Sequence, residues 1–126
     1  MHIEHVNLSI SNLQRSIDFY CRLFDFRVRW QETDPDAQPA AHVGNDEIYL
    51  ALFEASEPAV AENNYERVGL NHFGLTVPDL APYRDRLAEL GVTPHHEPTY
   101  DPGPRLYFFD SDHIEVELVQ TLEPGG

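Results

Sequence analysis

A chain of 126 residues with 41% hydrophobic content is long enough for one compact domain, or for two small modules sharing a core. Its 22 acidic and 8 basic residues leave a net charge of −14, a sign that argues against nucleic acid and anionic membrane surfaces as partners. No apolar run approaches the roughly 18 residues of a membrane span, no basic-then-apolar leader opens the chain, and the single Cys21 cannot close an internal disulfide, so a cytoplasmic protein is expected.

All eight basic residues are Arg. Carboxylate-rich surfaces stay soluble at high salt, where their mutual repulsion is screened, so the composition suggests a halophilic protein.

Residues 2–10 alternate as a strand, with Val6, Leu8 and Ile10 on one face and His5, Asn7 and Ser9 on the other. Ser11 with Gln14 reads as a capping box. It opens a helix along Leu13, Ile17, Tyr20 and Phe24, with Cys21 as an ordinary helix residue. Segments 26–32, 40–44 and 47–53 read as three short strands, broken by Asp34-Pro35-Asp36 and Gly44-Asn45-Asp46. This first module covers about 1–54, and an acidic linker runs over about 55–67. The second module, about 68–120, repeats the plan. Residues 70–77 alternate, and Asp79 caps a helix carrying Leu80, Tyr83, Leu87 and Leu90, stopped by Gly91. Segments 92–97, 105–109 and 113–120 read as three more strands. Asp101-Pro102-Gly103-Pro104 reads as a rigid turn at a cavity mouth, and Glu123-Pro124-Gly125-Gly126 as a loose tail.

The two lead strands are near copies. Ile3-Glu4-His5-Val6-Asn7-Leu8-Ser9-Ile10 is matched, 67 residues on, by Leu70-Asn71-His72-Phe73-Gly74-Leu75-Thr76-Val77. Such a repeat means two copies of one structural unit, with the two imidazoles at equivalent places about a pseudo-two-fold axis. In both, the larger apolar residues take the helix-packing face. The histidine face continues with small or polar groups, as befits a sheet curved around a cavity. In the last strand Ile114, Val116 and Leu118 belong under the helix, which turns Glu115 and Glu117 toward that cavity. A strand carboxylate there is costly without a positive partner. One divalent ion (Fe, Mn, Zn, Ni or Co) held by two imidazoles and a carboxylate would supply it and leave positions open for substrate. Taken singly, His5, His72 and Glu117 read better as ordinary polar residues than as ligands. Their repetition in frame is what favours ligands.

The residues that carry a resemblance are His5-Val6-Asn7-Leu8, Asp18-Phe19-Tyr20-Cys21-Arg22-Leu23-Phe24, Leu70-Asn71-His72-Phe73-Gly74-Leu75, and Tyr107-Phe108-Phe109-Asp110-Ser111-Asp112 followed by Glu117-Leu118. Over 1–120 the chain resembles the vicinal oxygen chelate superfamily of glyoxalases, extradiol dioxygenases, fosfomycin-resistance thiol transferases, methylmalonyl-CoA epimerases and bleomycin-resistance proteins. The resemblance implies an α+β fold in which two βαβββ modules form a cup-shaped, eight-stranded mixed sheet with helices on the outside. It also implies metal ligands at His5, His72 and Glu117. A fourth ligand usually sits where this chain has Ala51, which cannot bind a metal. Glyoxalases and epimerases typically have Glu or Gln there, so the departure counts against both.

The expected function is therefore a metal-dependent dioxygenase or lyase, with Lewis-acid or O₂ chemistry on a small substrate bearing adjacent oxygen atoms. A non-catalytic drug-binding protein of the bleomycin-resistance type is one alternative. A fosfomycin-type thiol transferase is another, weakened because the potassium-binding loop and basic residues of those enzymes are missing. Modules of this kind often pair through sheet edges, so a homodimer is expected. Tyr107 is a candidate hydrogen-bond donor to a substrate oxygen, or a packing aromatic. Arg105 is a candidate anchor for a substrate anion, and Asn7, Tyr49 and Thr76 could shape the pocket. Trp30 reads as core or pocket wall, His95 and His96 as exposed, and His2 and His42 as incidental. His113 stands at a turn where relatives usually have Gly.

Overall fold

Period-two alternation makes His5–Ile10 a strand, β1, with Leu8 and Ile10 buried and His5, Asn7 and Ser9 exposed. The helix that follows, α1, spans Leu13–Phe24 and buries Leu13, Ser16, Ile17, Tyr20 and Leu23 on one stripe. Its cap is Asn12 rather than the expected Ser11: the Asn12 side chain accepts from the Arg15 amide at 3.0 Å. Ser11 Oγ instead accepts from the Arg15 guanidinium, and Gln14 donates to Asp18, so no capping box forms. Asp25, at φ 57, ends the helix in the left-handed region. Three strands complete this half: β2 (Arg27–Gln31), β3 (Ala40–Gly44) and β4 (Tyr49–Glu54). They pair in the order β1-β4-β3-β2, with β1 and β4 parallel and the other pairs antiparallel. Gly44 is required at the β3–β4 turn, because a Cβ there would collide with the Ile48 carbonyl oxygen.

A computed structural model of the chain describes residues 1–59, 64–98 and 103–121. The expected turn at Asp101-Pro102 and the tail from Glu123 onward lie outside the described residues. Two compact units are present, Met1–Val60 and Ala61–Gly126. The second holds β5 (Phe73–Val77), α2 (Ala81–Glu89), β6 (Arg105–Phe109) and β7 (Glu115–Gln120), with its strands ordered β5-β7-β6. Here too the lead and last strands run parallel, and β6 is antiparallel to β7. Gly91, at φ 76, stops α2 as the sequence requires.

Among the described residues the fold is thus α+β with two mixed sheets, of four and three strands, one strand short of the eight expected. The missing strand is segment 92–97. Its backbone pairs with β6 through an isolated bridge at His96, with His95 N–H donating to the Tyr107 carbonyl and Tyr107 N–H to the His96 carbonyl. Pro94 lies within this stretch and Pro98 follows it, and neither has an N–H for a ladder.

Leu23, Val43, Leu50 and Leu52 fill the core of the first unit; Leu80, Leu87, Leu106, Phe108, Val116 and Leu118 fill that of the second. Each such burial contributes about 2 kcal/mol of transfer free energy. Among the described residues no helix is long and apolar enough to cross a membrane.

The registers make the duplication explicit. Asn7 pairs with Ala51 and Ile10 with Glu54; their repeats Gly74 and Val77 pair with Glu117 and Gln120. Ala51 therefore occupies, in the first unit, the place that Glu117 occupies in the second. The strand-end side chains correspond as well. Leu13 N–H donates to Glu54 Oε2 at 2.8 Å, and Leu80 N–H donates to Gln120 Oε1 at 3.0 Å.

Candidate functional site

On the face of the second sheet away from the apolar core lie Gly74 and Thr76 of β5, Glu115 and Glu117 of β7, and Arg105, Tyr107 and Phe109 of β6. The register sets them side by side: Gly74 opposite Glu117, Tyr107 opposite Glu117, and Phe109 opposite Glu115. A Cβ at 74 would make only ordinary contact with the Glu117 side chain, at 3.7 Å, so Glu117 does not depend on the glycine for space. Glu117 is 7% exposed, a carboxylate almost removed from water. Two groups answer that charge. Arg105 Nη1 donates to Oε2 at 2.8 Å, and His72 Nε2 lies 2.9 Å from Oε1.

The protonation of His72 follows from its neighbours. Asn71 Nδ2 donates to the Asn64 carbonyl at 3.2 Å, so Asn71 Oδ1 is the atom that faces His72 Nδ1, at 2.7 Å. Nδ1 therefore carries a proton and donates it. Nε2 then meets Glu117 Oε1 lone pair to lone pair unless a proton or a cation lies between them. Two donors each about 2.0–2.2 Å from one small ion and at right angles stand roughly 3 Å apart, which is the separation seen. His72 and Glu117 fit a divalent ion on chemistry and on distance.

His5 is prepared in the same way by the residue before it. Its Nδ1 lies 3.0 Å from Glu4 Oε1, so Nδ1–H donates and Nε2 keeps its lone pair. That hydrogen bond from His5 is the main cause holding the Glu4 carboxyl below its ordinary range. Tyr49 stacks on His5 at 4.9 Å and 11°, and reaches Glu4 with its hydroxyl at 3.3 Å. Desolvation first, and then the Glu4 charge, push the Tyr49 hydroxyl up. His42 stacks on the other side of Tyr49 at 4.5 Å, Trp30 lies against His42 at 4.8 Å, and the Arg29 guanidinium sits 4.7 Å over the Tyr49 ring. Desolvation, helped by His5 and Arg29, holds His42 below the usual imidazole range. So the first sheet carries a row of rings, Trp30, His42, Tyr49 and His5, across all four of its strands.

Within neither unit do three His, Cys, Asp or Glu side chains of the described residues converge as a complete metal cage. The second unit brings His72, Glu117, Arg105 and Tyr107 together, with the Tyr107 ring edge-on to His72 at 5.5 Å. Thr76 is exposed on the same strand face. Asn7 and Tyr49 share the face of His5. Arg105, read from sequence as a substrate anchor, has its guanidinium on Glu117. Trp30 is 41% exposed, a ring on the surface of the sheet rather than core. His113 adopts φ 62, the conformation a glycine takes most readily, and stacks on Phe109 at 4.0 Å. Burial pushes the Cys21 thiol up, which makes it a poor nucleophile.

Sequence reasoning missed the partners that set the imidazoles. Glu4 and Asn71 occupy the same place in the repeat, one residue before each histidine, and that coincidence was the available signal. It also left out His42, which has no frame of its own, and Glu115 as an actor.

Comparison with known proteins places this geometry in context. The family model described as Glyoxalase/Bleomycin resistance protein/Dioxygenase superfamily matches residues 2–118. Catechol-2,3-dioxygenase of Bacillus subtilis (strain 168) is 31% identical over 120 residues, which is 93% of this chain and 40% of that protein. The chain thus spans well under half the length of the curated relative it matches. A glyoxylase/bleomycin resistance protein/dioxygenase domain from Frankia sp. EAN1pec superposes with a TM-score of 0.81 at 23% identity, covering 96% of this chain and 98% of that one. A mutant of the fosfomycin resistance protein FosX from Listeria monocytogenes, solved with Mn(II) and 1S,2S-dihydroxypropylphosphonic acid, gives 0.77 at 21% identity, covering 96% and 94%. At those identities the two structures establish the fold alone.

Proposed function

Because the chain belongs to the glyoxalase/bleomycin resistance protein/dioxygenase superfamily, we propose that it is a metal-dependent enzyme acting on a small substrate with adjacent oxygen atoms, with His5, His72 and Glu117 holding one divalent ion. The observation that carries this reading is the 2.9 Å approach of His72 Nε2 to Glu117 Oε1, with the ring's other nitrogen already committed to Asn71. When bound, the ion supplies Lewis-acid polarisation of the two substrate oxygens or, if it is iron, access to O₂ chemistry.

The chain's own residues do the rest. Asn71 and Glu4 keep the Nδ1 protons in place, so both Nε2 lone pairs are presented without a change of tautomer. Arg105 offsets the charge of Glu117 and fixes its outer oxygen, leaving Oε1 as the ligating atom. Tyr107, buried beside His72, holds a hydroxyl for a substrate oxygen. Asn7, Tyr49 and Thr76 bound the substrate. The likeness to catechol-2,3-dioxygenase supports oxygen-dependent chemistry on a vicinal diol, and so does the alanine at position 51. A homodimer and a cytoplasmic setting belong to the same proposal.

A second reading is stoichiometric ligand binding without turnover, which the ring row from Trp30 to His5 favours as a platform for a planar or cationic molecule. Metal analysis of the purified protein separates the two. Wild type is expected to hold one ion per chain, lost in His5→Ala, His72→Ala and Glu117→Gln; metal content unchanged by all three ends the enzyme reading. A metal-free wild type that binds ligand without consuming it supports the second.

The charge of −14 carries a further proposal, that the protein is salt-adapted. Its urea midpoint is expected to rise from dilute buffer to molar KCl as carboxylate repulsion is screened. Equal midpoints would overturn it.

A further inference from the structure

One buried carboxylate has no part in the proposed centre. Glu115 is 3% exposed, nearer to full burial than Glu117. Its Oε1 accepts from the Tyr65 hydroxyl at 2.9 Å and lies 3.5 Å from His72 Nδ1. Its Oε2 lies 2.9 Å from His95 Nε2. The His95 ring is itself held, stacked on Phe109 at 4.4 Å and 16°, and Phe109 is the residue opposite Glu115 on β6. Tyr65 precedes β5, His95 follows α2, and Phe109 ends β6, so side chains from separate parts of the unit converge on this one carboxylate. A charge removed from water this far persists only where several donors meet it.

The repeat says what the carboxylate is for. Tyr49 pairs with His5 across β1 and β4 and stacks on its ring. Glu115 stands in the corresponding place beside His72, one step back from the Phe73–Val116 pair. In one unit the neighbour fixes the imidazole by stacking. In the other it does so by charge.

We propose that Glu115, clamped by Tyr65 and His95, is a positioning residue for His72: with Asn71 it keeps the proton on Nδ1 and the ring plane that aims Nε2 at Glu117, and so sets the affinity of the centre for a divalent ion. Asn71 is a neutral acceptor, its amide donating to the Asn64 carbonyl at 3.2 Å. The carboxylate adds a full negative charge behind the same ring edge, which makes Nε2 a stronger donor. The metal half of this inference rests on the proposed centre; the tautomer half does not.

The test compares wild type with Glu115→Gln, which keeps an acceptor oxygen and removes the charge, and with Glu115→Asp, which keeps the charge. In metal-free protein the ¹⁵N signals of the His72 ring are expected to report a single Nδ1–H tautomer for wild type and Glu115→Asp, and a mixture for Glu115→Gln. Mn(II) titration is expected to show a loss of about 10–100-fold in affinity for Glu115→Gln and largely rescued binding for Glu115→Asp. Should Glu115→Gln not fold, His95→Gln loosens the clamp from its exposed side and is read by the same two measurements, with a loss of about tenfold. Folded variants whose His72 signals and Mn(II) affinity both match wild type overturn the proposal. A wild type that takes up no Mn(II) sinks the metal centre instead, and the tautomer comparison then decides the positioning role alone.

Discussion

The two halves of the chain place opposite chemistry on one frame. Where the first unit has Ala40, Tyr49 and Ala51, the second has Arg105, Glu115 and Glu117 at the matching points of register. The first sheet answers with ring stacking, the second with a carboxylate–guanidinium–imidazole cluster. Duplication has therefore conserved the skeleton, meaning the parallel pairing of lead and last strands, the strand-end side chain that holds an amide where the helix opens, and the histidine frame. The side chains on it have divided into a wall of stacked rings and one of buried charged groups.

That contrast can be broken at its most charged point. Arg105→Gln gives the second sheet a neutral residue where the first has Ala40, and leaves Glu117 with one partner fewer. The side chains of Arg105 and Glu117 are only 13% and 10% exposed, so the metal-free protein is expected to lose about 3 kcal/mol in a urea titration. A loss below the range of ordinary surface substitutions would mean that the second sheet tolerates its charges as well as the first tolerates alanine. The shared skeleton is tested more gently. Glu54→Ala and Gln120→Ala each remove the acceptor for an amide where a helix opens and are each expected to cost about 1 kcal/mol by the same measurement. Similar costs sharpen the equivalence of the two units, and a cost confined to one of them breaks it.

Much of this was legible in the sequence because it depends on period. The alternation of Val6, Leu8 and Ile10 and of Phe73, Leu75 and Val77 fixes which way His5 and His72 face, and the helices follow from Leu13, Ile17 and Tyr20 and from Leu80 and Leu87. Local competition was harder to read. Ser11 and Asn12 are both good caps, and the choice between them turns on where Arg15 lies. Segment 92–97 has strand composition, yet Pro94 within it and Pro98 after it lack the amides a ladder needs. At the candidate site the histidines and Glu117 were visible through the repeat. Glu115 was placed on the cavity face, but its meeting with Tyr65 and His95 was not, because 50 and 20 residues of chain separate it from those two partners. No periodicity encodes a meeting that only the fold produces.

The parallel pairing of first and last strands has a consequence for the order of events during synthesis. His72 stands just before the lead strand of its unit and Glu117 on the strand that completes it, so the pair cannot meet until the chain has been made through β7. A nascent chain emerging from the ribosome exposes His72 before Glu117 exists to meet it. Their pairing is thus among the late contacts of the unit to form, and a cation bound there would lock in a finished fold rather than nucleate a growing one.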